Sequence, residues 1–303
     1  MTRIYGWKPD LPDVRDLYLE KRPLLKKVLT SYPEEFDLED TCTPVEDQET
    51  IGSCVLNGIV GSIEQIDHME DDKWVELSRL FGYWIAREDK DQDTGVYIRD
   101  TIKIVAKYGL CDESFWPYDV RKFRDRPSEQ AFKDALKKKG IKYYRISDED
   151  RYHGIMSTLV ERKRLVIFGF AVYSNFESRK VAETGRMEMP TKEELALGMK
   201  GGHCVDIVGY KKFCGVLYFK CRNSYSNKWG LKGYFWMPAE YVLNVNLSCD
   251  FWVIFRLPKV FKEEGAVDIH TPDVKWYLPI TGAYRFIKTV WEKIFRKKEV
   301  SDG

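Results

Sequence analysis

Cys54 stands in the run Gly52-Ser53-Cys54, immediately before an apolar-periodic segment from Val55 to about Asp67. This spacing predicts a helix whose first turn carries the sulfur. Unpaired amide protons and the positive end of the helix dipole favour an anion there, so the placement predicts a thiolate near neutral pH and hence a nucleophile for carbonyl carbon. A small hydrophobe opening a core helix is the structural alternative for a free cysteine. A nucleophilic thiol needs an imidazole, and the chain holds four histidines, at 68, 153, 203 and 270. His68 falls at the far end of the Cys54 helix, ~21 Å along its axis, beyond reach of the sulfur. His153 lies in a charged helical stretch, Ser147 to Glu161, and His270 in a C-terminal extension, both suited to solvated side chains. His203 follows two glycines and begins the apolar run Cys204-Val205-Asp206-Ile207-Val208, from which a ring can project off a sheet edge into a cleft. In Arg222-Asn223-Ser224-Tyr225, the amide oxygen of Asn223 can accept from one imidazole nitrogen and so fix the tautomer, with aromatic cover from its neighbours. Asn223 also suits a turn. Gln48, six residues before Cys54, can donate its side-chain amide to a developing oxyanion together with the Cys54 backbone N–H; a surface glutamine is the alternative.

These residues require two kinds of element to carry them. Ile59, Ile63 and Ile66, then Leu77, Leu80, Phe81 and Trp84, then Ile98, Ile102 and Val105 recur at helical spacing and predict three helices. Leu165–Val172, Cys204–Tyr210, Val216–Cys221, Gly233–Met237 and Phe251–Phe255 are short apolar runs bounded by turn residues and predict strands. A helical half followed by a strand-rich half implies an α+β fold of two lobes with the site between them. Residues 1–35 read as a proline-punctuated leader, 36–258 as the body, and 259–303 as an extension. In the extension Tyr284, Ile287, Trp291, Ile294 and Phe295 share one helical face beside six basic residues, which suits docking on the protein itself or peripheral contact with a membrane surface or partner.

The composition excludes several classes. With 303 residues, 44% hydrophobic and 32% charged, the chain is long and apolar enough to build a sizeable core. Its 49 basic and 48 acidic residues leave a charge of +1, too little to draw nucleic acid by an overall field. The longest apolar run, eight residues at Leu165–Val172, is far short of a membrane span of about 20. The first ten residues hold no hydrophobic signal core, so a reducing cytosol, or a particle assembled in one, is the expected location. Seven cysteines are an odd set, pointing to a reactive thiol before a disulfide framework. Cys204, Cys214 and Cys221 with His203 lack the close cysteine pair of a zinc site, so neither metal nor other cofactor is expected.

Gln48-x5-Cys54, Gly-Gly-His203 at a strand start, and Asn223-Ser224-Tyr225 leading to Trp229-Gly230 together resemble the papain-like cysteine peptidase family in order and spacing, over about residues 36–257. The opening Tyr5-Gly6-Trp7-Lys8-Pro9-Asp10 resembles the short-leader branch of that family found in bacteria, archaea and large DNA viruses, giant amoebal viruses among them; a viral origin would imply packaging in the virion. The resemblance implies a helical lobe and an antiparallel, barrel-like lobe, with Cys54 as nucleophile, His203 as base and acid, Asn223 as orienter and Gln48 as oxyanion donor. It implies hydrolysis of peptide or protein substrates through a thioester. It also places Gly95 where the bound peptide's backbone pairs, Cys204 in the pocket for the second residue before the scissile bond, and Tyr225 over the His–Asn bond. Val55 and Tyr225 stand where tryptophans are usual, and Ile51 where secreted relatives have a disulfide cysteine. Those departures keep open a weakly active or inactive structural component of a virion or other assembly. Acyl transfer to an amine is less favoured with asparagine in the orienting position. No adjacent histidine pair occurs, which favours endopeptidase action. The leader is expected to fold over the cleft and restrain it.

Overall fold

A computed structural model of the chain describes residues 4–19, 31–71 and 74–256. The chain divides into two units, Met1–Lys262 and Glu263–Gly303, and everything below concerns the first. The expected amphipathic helix of residues 259–303 lies outside the described residues.

The elements run in order β1 (Trp7–Lys8), β2 (Glu35–Asp37), α1 (Cys54–Asp71), α2 (Arg79–Ala86), β3 (Val96–Tyr97), α3 (Ile98–Tyr108), α4 (Glu129–Ala135), β4 (Ile141–Arg145), α5 (Arg151–Val160), β5 (Val166–Val172), α6 (Arg179–Thr184), α7 (Lys192–Leu197), β6 (Gly201–Phe213), β7 (Val216–Arg222), β8 (Tyr234–Pro238), α8 (Ala239–Leu243) and β9 (Ser248–Arg256). The three helices expected from apolar spacing are α1, α2 and α3. The five expected strands are β5 to β9.

The main sheet has strand order β4-β9-β5-β6-β7-β8, with β2 added beside β6, and its pairs are antiparallel. Its middle strand β5 is buried along its whole length, which accounts for its unbroken apolar run. One buried cluster packs around this sheet through Phe168, Phe170, Val205, Phe219 and Phe235; a second joins α1, α2 and α3 through Val55, Ile59, Leu80, Phe81, Ile98 and Ile102. The fold is therefore α+β, with a helical lobe and an antiparallel lobe. The lobes meet where α1 packs on β6, because Gly58 and Gly61 let the helix close onto the Asp206 and Arg222 side chains. Arg222, buried, donates to the carbonyls of Thr43 and Pro44 at 3.3 and 2.6 Å, tying the end of β7 to the segment that leads to Gln48.

The leader is more deeply held than its polar composition suggests. Trp7 is 7% exposed and packs in the helical cluster with Cys54, while Leu19 joins the sheet cluster. β1 pairs in parallel with β3, Trp7 opposite Val96 and Lys8 opposite Tyr97. All seven cysteines are free thiols.

Candidate active site

Cys54 opens α1, and the turn before it is pinned from several sides. Gly52 N–H donates to the Asp93 carboxylate at 3.0 and 3.1 Å, Ser53 Oγ bonds the Tyr118 hydroxyl at 2.7 Å, and that hydroxyl donates to the Gln48 carbonyl at 2.9 Å. Tyr83 donates to the same Asp93. Nothing in residue type alone singled out Asp93, Tyr83 or Tyr118; the Asp93-Thr94-Gly95 turn beside Gly95 was the available signal.

The sulfur lies among the backbone N–H groups of Cys204, Gly6, Val55 and its own residue, all favouring a thiolate, yet burial outweighs them and pushes the thiol up to about 11. The helix-start reading predicted the opposite direction. The difference arises because the site is sealed: Cys54 is wholly buried, with the leader's Gly6 amide against its sulfur.

His203 lies inside β6, which begins three residues earlier than the expected Cys204 because Gly201, Gly202 and His203 pair with Val172, Ala171 and Phe170. Its Nε2 bonds Asn223 Oδ1 at 2.8 Å, and the same oxygen accepts from the Ser224 backbone N–H at 2.8 Å. An amide oxygen can only accept, so Nε2 carries a ring proton, and in the neutral ring Nδ1 is the nitrogen left with a lone pair. Tyr225 stacks on the ring with centroids 5.0 Å apart at 26°, and Phe170, Phe176 and Tyr5 meet it at 5.6, 5.9 and 5.9 Å. Tyr225 is itself buried, so the His–Asn bond is covered from water. The amide of Cys204, the residue after His203, lies against the Cys54 sulfur, so the start of α1 meets β6 next to His203.

Gln48 is fully buried, not a surface side chain. Its Oε1 accepts from Ser224 Oγ at 2.6 Å and its Nε2 donates to the Ile51 and Ile4 carbonyls at 3.0 and 3.1 Å. Ser224 thus orients both Gln48 and, through its N–H, Asn223. The sequence showed Ser224 only as a neighbour. The Ile4 carbonyl belongs to the leader and occupies the donor proposed for an oxyanion. Gly95, at φ 66°, lies beside the Gly6 carbonyl, which accepts from Val96 N–H at 2.8 Å, while Trp7 lies against Gly169 and Gly202. Gly95 and the Gln48 amide therefore meet one extended segment, residues 4–8, and so does the Cys54 sulfur through Gly6. Cys204 is buried in the same cluster as Trp7.

A helical and an antiparallel lobe, with a buried thiol at the start of α1 and an Asn-bound imidazole on β6, form the arrangement expected of a thiol peptidase. The family model described as papain family cysteine protease matches residues 32–250, and the chain belongs to that family. The chain is similar to an uncharacterized peptidase-like protein of Acanthamoeba polyphaga mimivirus, 35% identical over 277 residues that cover 84% of this chain and 87% of that protein. Among solved structures it is similar to xylellain, a cysteine protease from Xylella fastidiosa, with a TM-score of 0.74 and 33% identity over 84% of this chain and 96% of that one. Procathepsin B from Trypanosoma congolense shares the fold, with a TM-score of 0.64 over 84% of this chain and 87% of that one at 16% identity. The protein is a papain-like cysteine peptidase. No helix among the described residues is long and apolar enough to cross a membrane.

Proposed function

We propose that this peptidase hydrolyses internal peptide bonds through Cys54, His203 and Asn223, with Gln48 stabilising the oxyanion, and that residues 4–16 restrain it by lying in the substrate groove. His203 Nδ1 takes the thiol proton. The thiolate forms a C–S bond to the scissile carbonyl carbon, and the negative oxygen meets the Gln48 Nε2 and the Cys54 N–H. The imidazolium returns the proton to the departing amine as the C–N bond breaks. Water then attacks the thioester, gives its proton to His203, and the thiol leaves. The observation that carries this reading is the Asn223 oxygen held between Ser224 N–H and His203 Nε2, which supports a proton on Nε2 and leaves Nδ1 as the nitrogen to exchange a proton with the thiol. The restraint is supported by the Gln48 amide being spent on the leader carbonyl of Ile4.

An epoxide thiol probe on the full chain tests it: labelling at Cys54, and hydrolysis of a fluorogenic peptide that disappears in Cys54→Ala and falls steeply in His203→Ala. Hydrolysis persisting in Cys54→Ala refutes the assignment. The second reading, a weakly active or inactive structural component of a virion or other assembly, is favoured in its low activity by the sealed Cys54 thiol, pushed up to about 11. Failure of Cys54 to label, with no peptide turnover at any pH, supports it instead.

A further inference from the structure

The pocket beside Cys54 is occupied by an indole. Trp7 lies flat against Gly169 and Gly202, where an added Cβ on either glycine would run into the ring, so only glycine leaves this space. At the far end, Trp7 Nε1 donates to Asp250 Oδ2 at 3.2 Å. Asp250 is wholly buried, sits at φ 59°, and lies where β9 slips register against β5 between Ile167 and Gly169. A bulge of that kind re-aims a side chain, and here it turns a carboxylate to the pocket floor.

The donors on Asp250 come from two sources. Its Oδ1 is held by Arg145 Nη2 of the body at 3.0 Å; its Oδ2 accepts from Trp7 and from the Asp10 N–H at 2.7 Å, both leader groups. Arg99 is engaged by the leader as well: its guanidinium donates to both Asp16 oxygens at 2.8 and 2.6 Å and to the Leu11 carbonyl at 2.5 Å. Arg145 also reaches Asp16 at 3.3 Å, and Lys103 reaches Asp13 at 3.7 Å. Removal of residues 4–16 would therefore leave the buried Asp250 carboxylate lacking two donors but still paired with Arg145, beside an Arg99 guanidinium lacking its carboxylate. The local charge without Asp10 and Asp16 is one carboxylate against two arginines, net positive.

We propose that this is the enzyme's specificity surface: the pocket takes a neutral aromatic side chain with a ring donor, tryptophan above all, whose N–H satisfies Asp250, while Arg99 and Arg145 bind acidic residues further along the same peptide. A lysine or arginine in the pocket would add a third cation to a site where the Asp250 carboxylate already pairs with Arg145 and Arg99 is in excess, so the floor carboxylate does not select basic residues here. The assignment rests on the reading that residues 4–16 occupy the substrate groove.

The test uses the full chain bearing Trp7→Ala, which vacates the pocket, with Cys54→Ala added for binding. Fluorescence polarisation compares labelled peptides carrying tryptophan followed by aspartates, the same peptide with arginine for tryptophan, and the same with asparagines for the aspartates. The tethered leader competes with all three alike, so their ratios report the surface. The first should bind at least about tenfold more tightly than either other, as expected for losing a charge-assisted or buried hydrogen bond. Arg99→Gln should reduce the aspartate-over-asparagine ratio to about twofold or less. Equal binding of the three peptides, or preference for arginine, overturns the proposal. Cleavage by the Cys54-intact Trp7→Ala chain separates the two readings. Turnover with a flat or basic preference refutes the specificity surface and leaves the peptidase mechanism intact; selective binding without turnover does the reverse.

Discussion

Docking of the leader brings three carboxylates, Asp10, Asp16 and Asp250, against two guanidiniums, Arg99 and Arg145, with the Trp7 and Trp252 indoles and the Asp10 and Arg99 amides as neutral donors. One carboxyl is left over, and burial raises both Asp10 and Asp250 towards protonation; for Asp10, burial first and then the Asp250 charge raise it from 3.8 to about 7, while Arg99, Trp252 and Arg145 pull the other way. A carboxyl raised in the docked state stabilises docking fully below its free value and loses that contribution as pH climbs through the docked value. The rise from 3.8 to about 7 amounts to ~4 kcal/mol at most, and between pH 5 and pH 8 it weakens docking on the order of a hundredfold. The leader should therefore hold in acid and loosen at neutral pH. The perturbation is Asp10→Asn, which keeps an acceptor for the Arg99 amide and the Trp252 indole without a titrating charge. The assay is hydrogen exchange of residues 4–16 by mass spectrometry from pH 5 to pH 8, corrected for intrinsic exchange, in a Cys54→Ala background so that the raised thiol adds no slope of its own. Leader protection in the Asp10-containing chain should fall by about two orders of magnitude across that range and stay level in Asp10→Asn. Protection that is flat or rising with pH, or the same slope in both chains, would refute the proton count.

Two further outcomes follow from contacts already described or close to them. Gln48→Ala should lower kcat by about 10²–10³, the usual cost of one oxyanion donor, with probe labelling of Cys54 still occurring; a loss below threefold in steady-state assays would remove Gln48 from that role. Glu64, buried on α1, accepts from Arg79 Nη2, Thr43 Oγ1 and Leu77 N–H, each at 2.9 Å, so Glu64→Ala leaves a buried guanidinium unpaired and should cost about 3–5 kcal/mol in urea unfolding. A change under 1 kcal/mol would show that the pair contributes nothing net.

Much of the arrangement could be read before any coordinates because it is local or chemically exacting. Helices α1 to α3 and strands β5 to β9 announce themselves through 3.6-residue spacing and short β-branched or aromatic runs. Cys54, His203, Asn223 and Gln48 stand out because few side chains can serve those roles in that order. The Trp7 pocket is different in kind. It depends on Gly169 and Gly202 from two strands, on a register slip in β9, and on an indole 243 residues away in sequence from its acceptor, none of which leaves a periodic trace. The raised Cys54 thiol was equally hidden: helix polarity is local, whereas burial depends on what the leader does. Ser224 was visible as a residue but not as the joint that orients Gln48 and Asn223 together.

β2 adds itself to β6, the strand bearing His203, while β1 pairs with β3 on the other lobe. The segment proposed to restrain the enzyme is thus covalently continuous with a strand of the lobe bearing His203, and its effective concentration at its docking contacts stays high however dilute the protein becomes. Breaking the backbone anywhere between Leu19 and Glu35 would turn that intramolecular equilibrium into a bimolecular one, and the same set of contacts would then hold or let go according to dilution alone.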